Sequence, residues 1–186
     1  MLKPAYPIET PRLLLRPYET DDVPAAHAFH SLPEVTRYLY WEPRDLDQVR
    51  ASVAEKSQVR ELTDAGQALC LAVFERETGA LVGEVVLFWH SREHRQGEIG
   101  YIFSPAFHGK GYATEASREM LRLGFDDLDL HRIAARTDGR NTASTKVMER
   151  LGMRKEAHLI ENEMVKGEWT DEIVYAMLRR EWDELP

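Results

Sequence analysis

The sequence predicts an α/β domain with a mixed central sheet of about seven strands and helices that flank the sheet. Two observations lead to this prediction. Short apolar runs typical of strands alternate along the chain with segments whose apolar residues recur at helical spacing. In chain order, these segments read as a strand, helices, two strands, a strand–loop–helix unit, a strand, a helix and two strands. Residues 1–186 contain no internal repeat or linker, so we expect a single domain.

The first part of the chain is predicted to contain one strand and three helical segments. Consecutive leucines predict the strand over residues 12–16. Thr20 and the two acidic residues after it predict a short helix, and a second helical piece covers residues 32–39. Asp45 is typical of the cap of a longer helix, and we expect Gly66 to close that region.

Three strands are predicted in the middle of the chain. A hairpin turn over residues 77–80 separates the first two, and a polar loop over residues 91–96 leads to the third. Pro105 ends the third strand, because proline cannot donate to a strand ladder. The predicted strands span residues 68–74, 81–89 and 98–104.

The central stretch, residues 97–125, reads GEIGYIFSPAFHGKGYATEASREMLRLGF and predicts a strand, a glycine turn and a helix. Gly109 and Gly111 permit a close approach to the backbone and dihedral angles that other residues avoid. The N–H groups in the first turn of the following helix have no partner within it, and they lie at the positive end of the helix dipole. A phosphate or pyrophosphate group is therefore the natural ligand.

The residues of this turn separate three interpretations. A P-loop needs GxxxxGK followed by Ser or Thr, whereas Lys110 lies between the two glycines and is not followed by either, which removes that interpretation. A dinucleotide fingerprint needs a third glycine where Thr114 stands. A glycine turn that binds no ligand remains open on these residues alone.

The last part of the chain is predicted to hold a strand, a helix and two closing strands. Asn141 is a good helix cap, and Gly152 is a good helix stop. Between them, Ala143, Val147 and Leu151 recur on one face. The strands are predicted over residues 132–137, 155–160 and 173–178, with residues 166–169 in the connection between the last two.

The run HGKGYATEA after the strand GEIGYIF resembles the acetyl-coenzyme A loop of the GNAT superfamily of N-acetyltransferases. That family's pattern, Gln/Arg-x-x-Gly-x-Gly/Ala, falls on His108, Gly111 and Ala113, with His in place of Gln or Arg. Three further runs, IETPRLLLRPYETDDV, RNTASTKVMERLGM and KGEWTDEIVYAMLRREW, resemble the RimJ/RimL-like branch of the ribosomal-protein-alanine N-acetyltransferase type. The resemblance covers nearly the whole chain. It implies the GNAT acyl-CoA N-acyltransferase fold and acetyl transfer from acetyl-CoA to a primary amine.

The resemblance also implies where acetyl-CoA binds. Its pyrophosphate is expected on the backbone N–H groups from His108 to Ala113, and its pantetheine arm beside the strand that holds Tyr101, using main-chain bonds like an added strand. The cofactor-binding residues expected from the family are Tyr101, Ile102, Phe103, His108, Gly109, Lys110, Gly111, Tyr112, Ala113, Asn141 and Ser144. No metal is expected at this site.

Two catalytic residues are implied by the RimL-like pattern. Ser144 matches the position of the acid that serves the departing thiolate, although a first-turn serine has a purely structural reading as well. Glu163 resembles the position of the base, in the stretch ENEMVKGEW, with Glu98 and Glu84 as rivals on central strands. A solvated loop carboxylate is the alternative for Glu163.

Two further sets of side chains have competing interpretations. Tyr38 and Trp41 lie in the early helical region, in which the family places its acceptor wall, and packing in the core is an equal alternative. His90 and His94 are spaced four apart, but they fall at a strand end and in a loop without a third ligand, so we expect no metal site.

Composition excludes several classes of protein. Apolar residues make up 43% and charged residues 30% of the chain, which is typical of a globular domain, and the formal net charge of −8 argues against general nucleic-acid binding. The sole cysteine, Cys70, lies in an apolar run and is expected in the core rather than as a nucleophile. The sequence shows no membrane span or signal peptide, so we expect a cytoplasmic protein.

The resulting expectation is an acetyl-CoA-dependent N-acetyltransferase in which the amine attacks directly in a ternary complex. A protein N-terminal amine is the expected acceptor. The alternatives are an enzyme for a small amine, such as an antibiotic or polyamine, and a non-catalytic module that binds acyl-CoA as a sensor. The sequence is compatible with a monomer or a homodimer.

Overall fold

Residues 1–185 are described by a computed structural model, and within them eight strands form one sheet in the order β1-β2-β3-β4-β5-β6-β8-β7. The α/β prediction is confirmed, and the strand beyond the expected seven is β1, which has only two residues. The strands are β1 (Ile8–Glu9), β2 (Leu13–Arg16), β3 (Ala68–Glu75), β4 (Leu81–Ser91), β5 (Gln96–Phe103), β6 (Arg132–Asp138), β7 (Arg154–Val165) and β8 (Glu168–Leu178).

Six α-helices accompany the sheet within the same residues, and none of them is long and apolar enough to span a bilayer. A 3-10 turn (Thr20–Asp22) precedes the first helix, a second one (Pro105–Phe107) follows β5, and a π-turn (Leu123–Asp127) follows the fourth helix. The helices are α1 (Val23–His30), α2 (Pro33–Thr36), α3 (Leu46–Gln58), α4 (Tyr112–Arg122), α5 (Thr142–Arg150) and α6 (Arg179–Asp183).

The predicted helix ends are partly confirmed. Asp45 caps α3, because its carboxylate accepts a 2.8 Å bond from the backbone N–H of Gln48, and the side-chain oxygen of Gln48 accepts a bond from the Asp45 N–H. The second helical piece is shorter than predicted and ends at Thr36, whose carbonyl accepts a bond from Lys166 at 2.8 Å. Gly66 does not close α3, which ends at Gln58; its positive φ of 90° belongs to the turn that leads into β3.

The core lies on both faces of the sheet, because side chains alternate along each strand. On β3, Leu69 and Leu71 pack on one face with residues of α4, whereas Cys70 and Ala72 pack on the other face with residues of α1 and α3. Burial raises the pKa of the Cys70 thiol well above its ordinary value. The expectation that Cys70 is a core residue is therefore confirmed.

The last hairpin is longer than predicted. Its turn consists of Lys166 and Gly167 alone, both with positive φ, so residues 168 and 169 belong to β8 rather than to the connection. The side chains of β7 are exposed along nearly its whole length, because β7 is an edge strand, and its register is interrupted by a bulge between Leu159 and Glu163. An edge strand of this kind lacks the apolar alternation by which a sequence reveals its strands.

The sheet divides into two parts between β5 and β6. These strands are parallel, joined through α4, and they pair at three positions only, from Gln96 with Arg132 to Glu98 with Ala134. Beyond Glu98, β5 continues with β4 as its partner, and β6 continues with β8. The divergence opens a gap in the sheet, and the candidate site lies there.

Candidate active site

The first component of the site is a groove of about 450 Å³ between the end of β5, the glycine turn and the start of α5. The gap between β5 and β6 leaves one edge of β5 without a neighbouring strand past Glu98, which suits a ligand that bonds to the main chain. Ten of the eleven residues predicted to bind the cofactor line this groove: Tyr101, Ile102, Phe103, His108, Gly109, Gly111, Tyr112, Ala113, Asn141 and Ser144.

The glycine turn has the geometry that an anion site requires. Gly109 and Gly111 have φ of 79° and 80°, and Gly111 is the residue that precedes the first turn of α4. The first bond of α4 runs from the Glu115 N–H to the Gly111 carbonyl at 3.1 Å, so the N–H groups before Glu115 have no partner within the helix. Thr114 also lines the groove, and its buried Oγ1 has no hydrogen-bond partner within residues 1–185. These groups fit a pyrophosphate.

His108 and Lys110 differ from the other predicted cofactor residues. The His108 N–H donates to the Pro105 carbonyl at 3.1 Å, and its ring nitrogen Nε2 lies 3.1 Å from the Phe103 carbonyl, so its backbone is already engaged. Lys110 lies outside the groove, in an adjoining cavity of about 730 Å³, where its ammonium lies 3.3 Å from the Glu75 carboxylate. The Thr78 hydroxyl and, with a smaller effect, the Tyr112 hydroxyl donate hydrogen bonds to the Glu75 carboxylate. These bonds lower the pKa of Glu75 to about 2.

The glycine turn is held by a residue that the sequence did not reveal. Arg12, just before β2, donates to the Lys110 carbonyl at 2.8 Å and forms an ion pair with Glu115 at 2.6 Å. Glu115 also accepts bonds from the Arg12 N–H and from the Thr10 hydroxyl. Because Glu115 lies in the first turn of α4, Arg12 offsets its negative charge near the place of the expected phosphates.

The start of α5 forms the opposite wall of the groove. Asn141 caps this helix as predicted, since its Oδ1 accepts a 3.1 Å bond from the Ser144 N–H. The Ser144 hydroxyl lies 2.9 Å from the Tyr101 hydroxyl, which reaches it across the gap from β5. Ala143 and Val147 line the groove, so the face of α5 that they share belongs to the site. Met148 is the residue of α5 that is buried.

The second component of the site is a cavity of about 300 Å³ on the other side of the Tyr101–Ser144 pair. Arg136 is the only basic residue among the described residues that line it. Six residues border both the groove and the cavity: Tyr38, Leu39, Tyr101, Ile102, Asn141 and Ser144. Five carboxylates line the cavity: Glu98, Asp138, Glu163, Asp171 and Glu172.

The three candidate bases occupy different environments. Glu163 lies on β7, not in a loop, and its carboxylate accepts a 2.6 Å bond from the Tyr40 hydroxyl. Partial desolvation of the Tyr40 hydroxyl, followed by this bond, raises the pKa of Tyr40 well above its ordinary value, so Tyr40 remains the donor although most of its side chain is exposed. Glu98 is held by Arg136 at 3.1 Å, and Arg136 also contacts Glu172 at 3.3 Å.

Glu84 lines neither the groove nor the cavity and is buried between β4 and the early helices. Lys56 Nζ lies 2.7 Å from both of its oxygens, and the Tyr18 hydroxyl donates to it at 2.7 Å. Burial acts to raise the pKa of Glu84, but Lys56 and His30 together hold it well below its usual range. A carboxylate with such a low pKa and no access to the cavity is a poor candidate for the base.

The structure separates the two aromatic residues proposed for the acceptor wall. Tyr38 lines both the groove and the cavity. Trp41 packs between the ring of His30, at 5.3 Å, and the guanidinium of Arg44, at 4.1 Å, so the packing interpretation holds for it. Tyr40, which the sequence analysis missed as a site residue, lines the cavity instead.

The described residues contain no cluster of three or more side chains suited to a metal. His90 stacks on Phe88 with ring centroids 5.9 Å apart, and its Nε2 lies 3.4 Å from Glu98. The candidate site therefore consists of a glycine turn, an open strand edge and an acidic cavity.

Comparison with known proteins gives matches to a family model, to relatives by sequence and to solved structures. A family model described as an acetyltransferase (GNAT) domain matches residues 12–154. The uncharacterized N-acetyltransferase YnaD of Bacillus subtilis is 33% identical over 176 residues, with 95% of this chain and 99% of that protein covered. The crystal structure of an acetyltransferase (GNAT family) from Bacillus anthracis superimposes with a TM-score of 0.84 and 33% identity, covering 93% of this chain and 98% of that one.

A relative with a named acceptor is more distant. The spermidine N(1)-acetyltransferase of Escherichia coli is 26% identical, with 90% of this chain and 87% of that protein covered. These matches agree with the α/β fold described above.

Proposed function

We propose that this chain, which belongs to the GNAT family and is an acetyl-CoA-dependent N-acetyltransferase, acetylates a protein N-terminal amine. One observation supports the location at which the acetyl group is transferred. The groove suited to coenzyme A and the acidic cavity meet at Tyr101 and Ser144, so a thioester in one and an amine in the other can come into contact. Positioning of this kind contributes much of the rate in a transfer without a covalent enzyme intermediate.

Each step has a residue in place. Glu163, oriented by Tyr40, accepts the proton that the acceptor ammonium must lose before it attacks. A backbone N–H on the open edge of β5 polarises the acetyl carbonyl. The Ser144 hydroxyl, at the start of α5, donates to the sulfur as the carbon–sulfur bond breaks, and the positive end of the helix stabilises the negative charge there.

The surroundings of the acidic cavity support a protein acceptor. Glu163 and Thr170 line the cavity, and the adjacent cross-strand pair, Met164 and Trp169, lies on the opposite face of the same hairpin, 53% and 59% exposed. Tyr40, at the cavity itself, is 73% exposed. Large apolar side chains left in solvent beside a site are typical of a surface that contacts another protein.

A second candidate acceptor is a small polyamine. Five carboxylates face a single arginine in the cavity, and this excess of negative charge suits an acceptor with several ammonium groups. The likeness to a spermidine N(1)-acetyltransferase favours the same class.

An acceptor panel with purified protein distinguishes these candidates. Peptides with a free N-terminal amine and no lysine, the same peptides with a blocked terminus, and spermidine are incubated with acetyl-CoA, and products are identified by mass spectrometry. We expect the free peptides to have the highest kcat/KM and the blocked ones to be inert. A higher kcat/KM for spermidine replaces the proposal with the polyamine enzyme, and binding of acetyl-CoA without any acetylated product replaces it with the sensor.

A further inference from the structure

The hydroxyl of Tyr101 can donate its proton to either of two oxygens of Ser144, and which one it chooses affects how the coenzyme A thiolate leaves. The Tyr101 hydroxyl lies 2.9 Å from two oxygens of the same residue, the Ser144 carbonyl and the Ser144 hydroxyl. The tyrosine has one proton to donate, and the carbonyl can only accept. Two arrangements of the protons are therefore possible.

The two arrangements point the serine proton in different directions. If Tyr101 donates to the carbonyl, the Ser144 hydroxyl donates to the tyrosine oxygen and is turned away from the groove. If Tyr101 donates to Ser144 Oγ, the serine proton is free for a third partner at the junction of groove and cavity. A negative charge that develops on sulfur favours the second arrangement, because hydrogen bonds to charged acceptors are the stronger ones.

We propose that Tyr101 is a positioning residue for the departure of the thiolate: by donating to Ser144 Oγ, it directs the Ser144 proton toward sulfur. The proposal rests on the proposed function, because it takes the junction of the groove and the cavity as the place where the thioester is cleaved. It adds a role for a hydroxyl on β5, which the sequence analysis placed only in contact with the cofactor.

The step balances without ionising either hydroxyl. The amine nitrogen forms a bond to the acetyl carbon with its lone pair, and the carbon–sulfur bond breaks. The electron pair of the broken bond goes to sulfur, which leaves as a thiolate that accepts the Ser144 hydrogen bond. The thiolate takes a proton from solvent afterwards, and the proton lost by the amine goes to Glu163 and then to solvent. Burial raises the pKa of Tyr101 to about 12, so the tyrosine keeps its proton while it donates.

The chain provides a matched control. Tyr175, on β8, also ties α5 to the sheet through its hydroxyl, which donates to Glu149 at 2.9 Å. Neither Tyr175 nor Glu149 lines the groove or the cavity. Tyr175→Phe thus removes a tie to the same helix without touching the serine.

The test measures the pKa of the thiol of bound coenzyme A, read from the ultraviolet absorbance of the thiolate, and needs no acceptor. In the wild type, we expect this pKa to lie below that of free coenzyme A measured in the same way. Tyr101→Phe and Ser144→Ala should each raise the pKa by about one unit, a tenfold effect in keeping with one lost hydrogen bond to a charged group. The double variant should show no larger rise than Ser144→Ala alone, and Tyr175→Phe should match the wild type.

Each other outcome has a definite meaning. A wild-type pKa in Tyr101→Phe, or rises that add in the double variant, would overturn the proposal, because Tyr101 would then not act through Ser144. The expected pKa values in a protein that acetylates spermidine but no protein N-terminal amine would overturn the proposed acceptor and support this inference. Coenzyme A that does not bind the wild type would overturn both.

Discussion

At the scale of single residues, the assignment of the base rests on access to the cavity. Glu163 lines the cavity and is bonded to Tyr40, Glu98 is partly neutralised by Arg136, and Glu84 is enclosed by Lys56 and Tyr18. A base needs a free lone pair at the acceptor, so the three carboxylates should differ strongly in their effect on turnover.

Glu163→Gln should keep the shape of the side chain and remove its basicity. We expect kcat/KM to fall by roughly two to four powers of ten, the usual scale for an acid–base group. Raising the pH should restore part of the rate, because more of the acceptor then arrives already deprotonated. Steady-state rates across a pH series provide the measurement.

Glu98→Gln and Glu84→Gln are the controls for this prediction. Each should lower turnover less than Glu163→Gln does. A large loss in either control with a nearly normal Glu163→Gln would move the base to a central strand. Small losses in all three would mean that the acceptor enters as a free amine and that the protein mainly positions it.

The buried Glu84 network makes a separate prediction about stability. The pKa of Glu84 is lower in the folded protein than the unfolded value of about 4.3, so below pH 4.3 the unfolded state binds more protons there. The stabilisation is therefore complete above about pH 4.3 and is lost as the pH falls toward the folded pKa.

Urea denaturation of wild type and Glu84→Gln at pH 7 and at pH 3.5 checks this. The wild type should lose more of its free energy of unfolding between the two pH values than the variant does, since only the wild type has this carboxylate to protonate. Equal losses in the two proteins would show that Glu84 does not contribute to the acid sensitivity.

Residue-scale roles were the least predictable from sequence. Ser144 and Asn141 could be singled out because a cap and a first-turn serine have a local spacing. Arg12 and Tyr40 could not, because their partners, Glu115 and Glu163, are 103 and 123 positions away along the chain. No local pattern encodes contacts of that separation.

At the scale of elements, the glycine turn is held by a residue from a distant segment of the chain, just before β2. Arg12 holds both the Lys110 carbonyl and the Glu115 carboxylate, so the turn and the first turn of α4 are fixed before a ligand arrives. A turn that is already ordered loses less conformational entropy when it binds.

Arg12→Ala should weaken acetyl-CoA binding about tenfold and leave kcat within a factor of about two, because the arginine positions the turn and does not reach the reacting atoms. The readout is the shift in melting temperature on saturation with acetyl-CoA, together with the KM for acetyl-CoA. Gly111→Asp should abolish the shift altogether, since it adds bulk and negative charge at a residue with φ of 80°.

Arg76→Ala is the matched control for Arg12. Its guanidinium also braces the segment before β2, donating to the Thr10 carbonyl at 2.9 Å, but it does not contact the glycine turn. It should bind acetyl-CoA like the wild type. Equal weakening in both variants would show that the segment before β2 acts as a whole and not through Arg12.

Elements were predicted well where one face is buried and poorly where none is. Helix α4 was found because Ala116, Met120 and Leu121 are buried at helical spacing. Strand β7 was predicted at half its length because both of its faces are largely exposed. The stripe on α5 was real, but Ala143 and Val147 face the groove, which a pattern of apolar residues cannot distinguish from the core.

At the scale of the whole molecule, the candidate site depends on the gap that opens in the sheet where β5 and β6 diverge. The order of elements predicted the mixed sheet, and the family resemblance predicted the location of the cofactor. The extent of the gap could not be predicted, because it depends on β5 and β6 pairing at three positions and then diverging. The gap brings α5, the glycine turn and the β7–β8 hairpin around one junction.

The central claim is that an amine in the acidic cavity attacks acetyl-CoA in the groove directly, while both are bound. The most direct test varies the concentrations of acetyl-CoA and of the best acceptor from the panel and measures initial rates. We predict double-reciprocal lines that intersect, as a ternary complex requires, and no acetyl group on the protein after incubation with acetyl-CoA alone. Parallel lines together with an acetylated protein would contradict the claim, because they are the kinetic signature of a covalent enzyme intermediate.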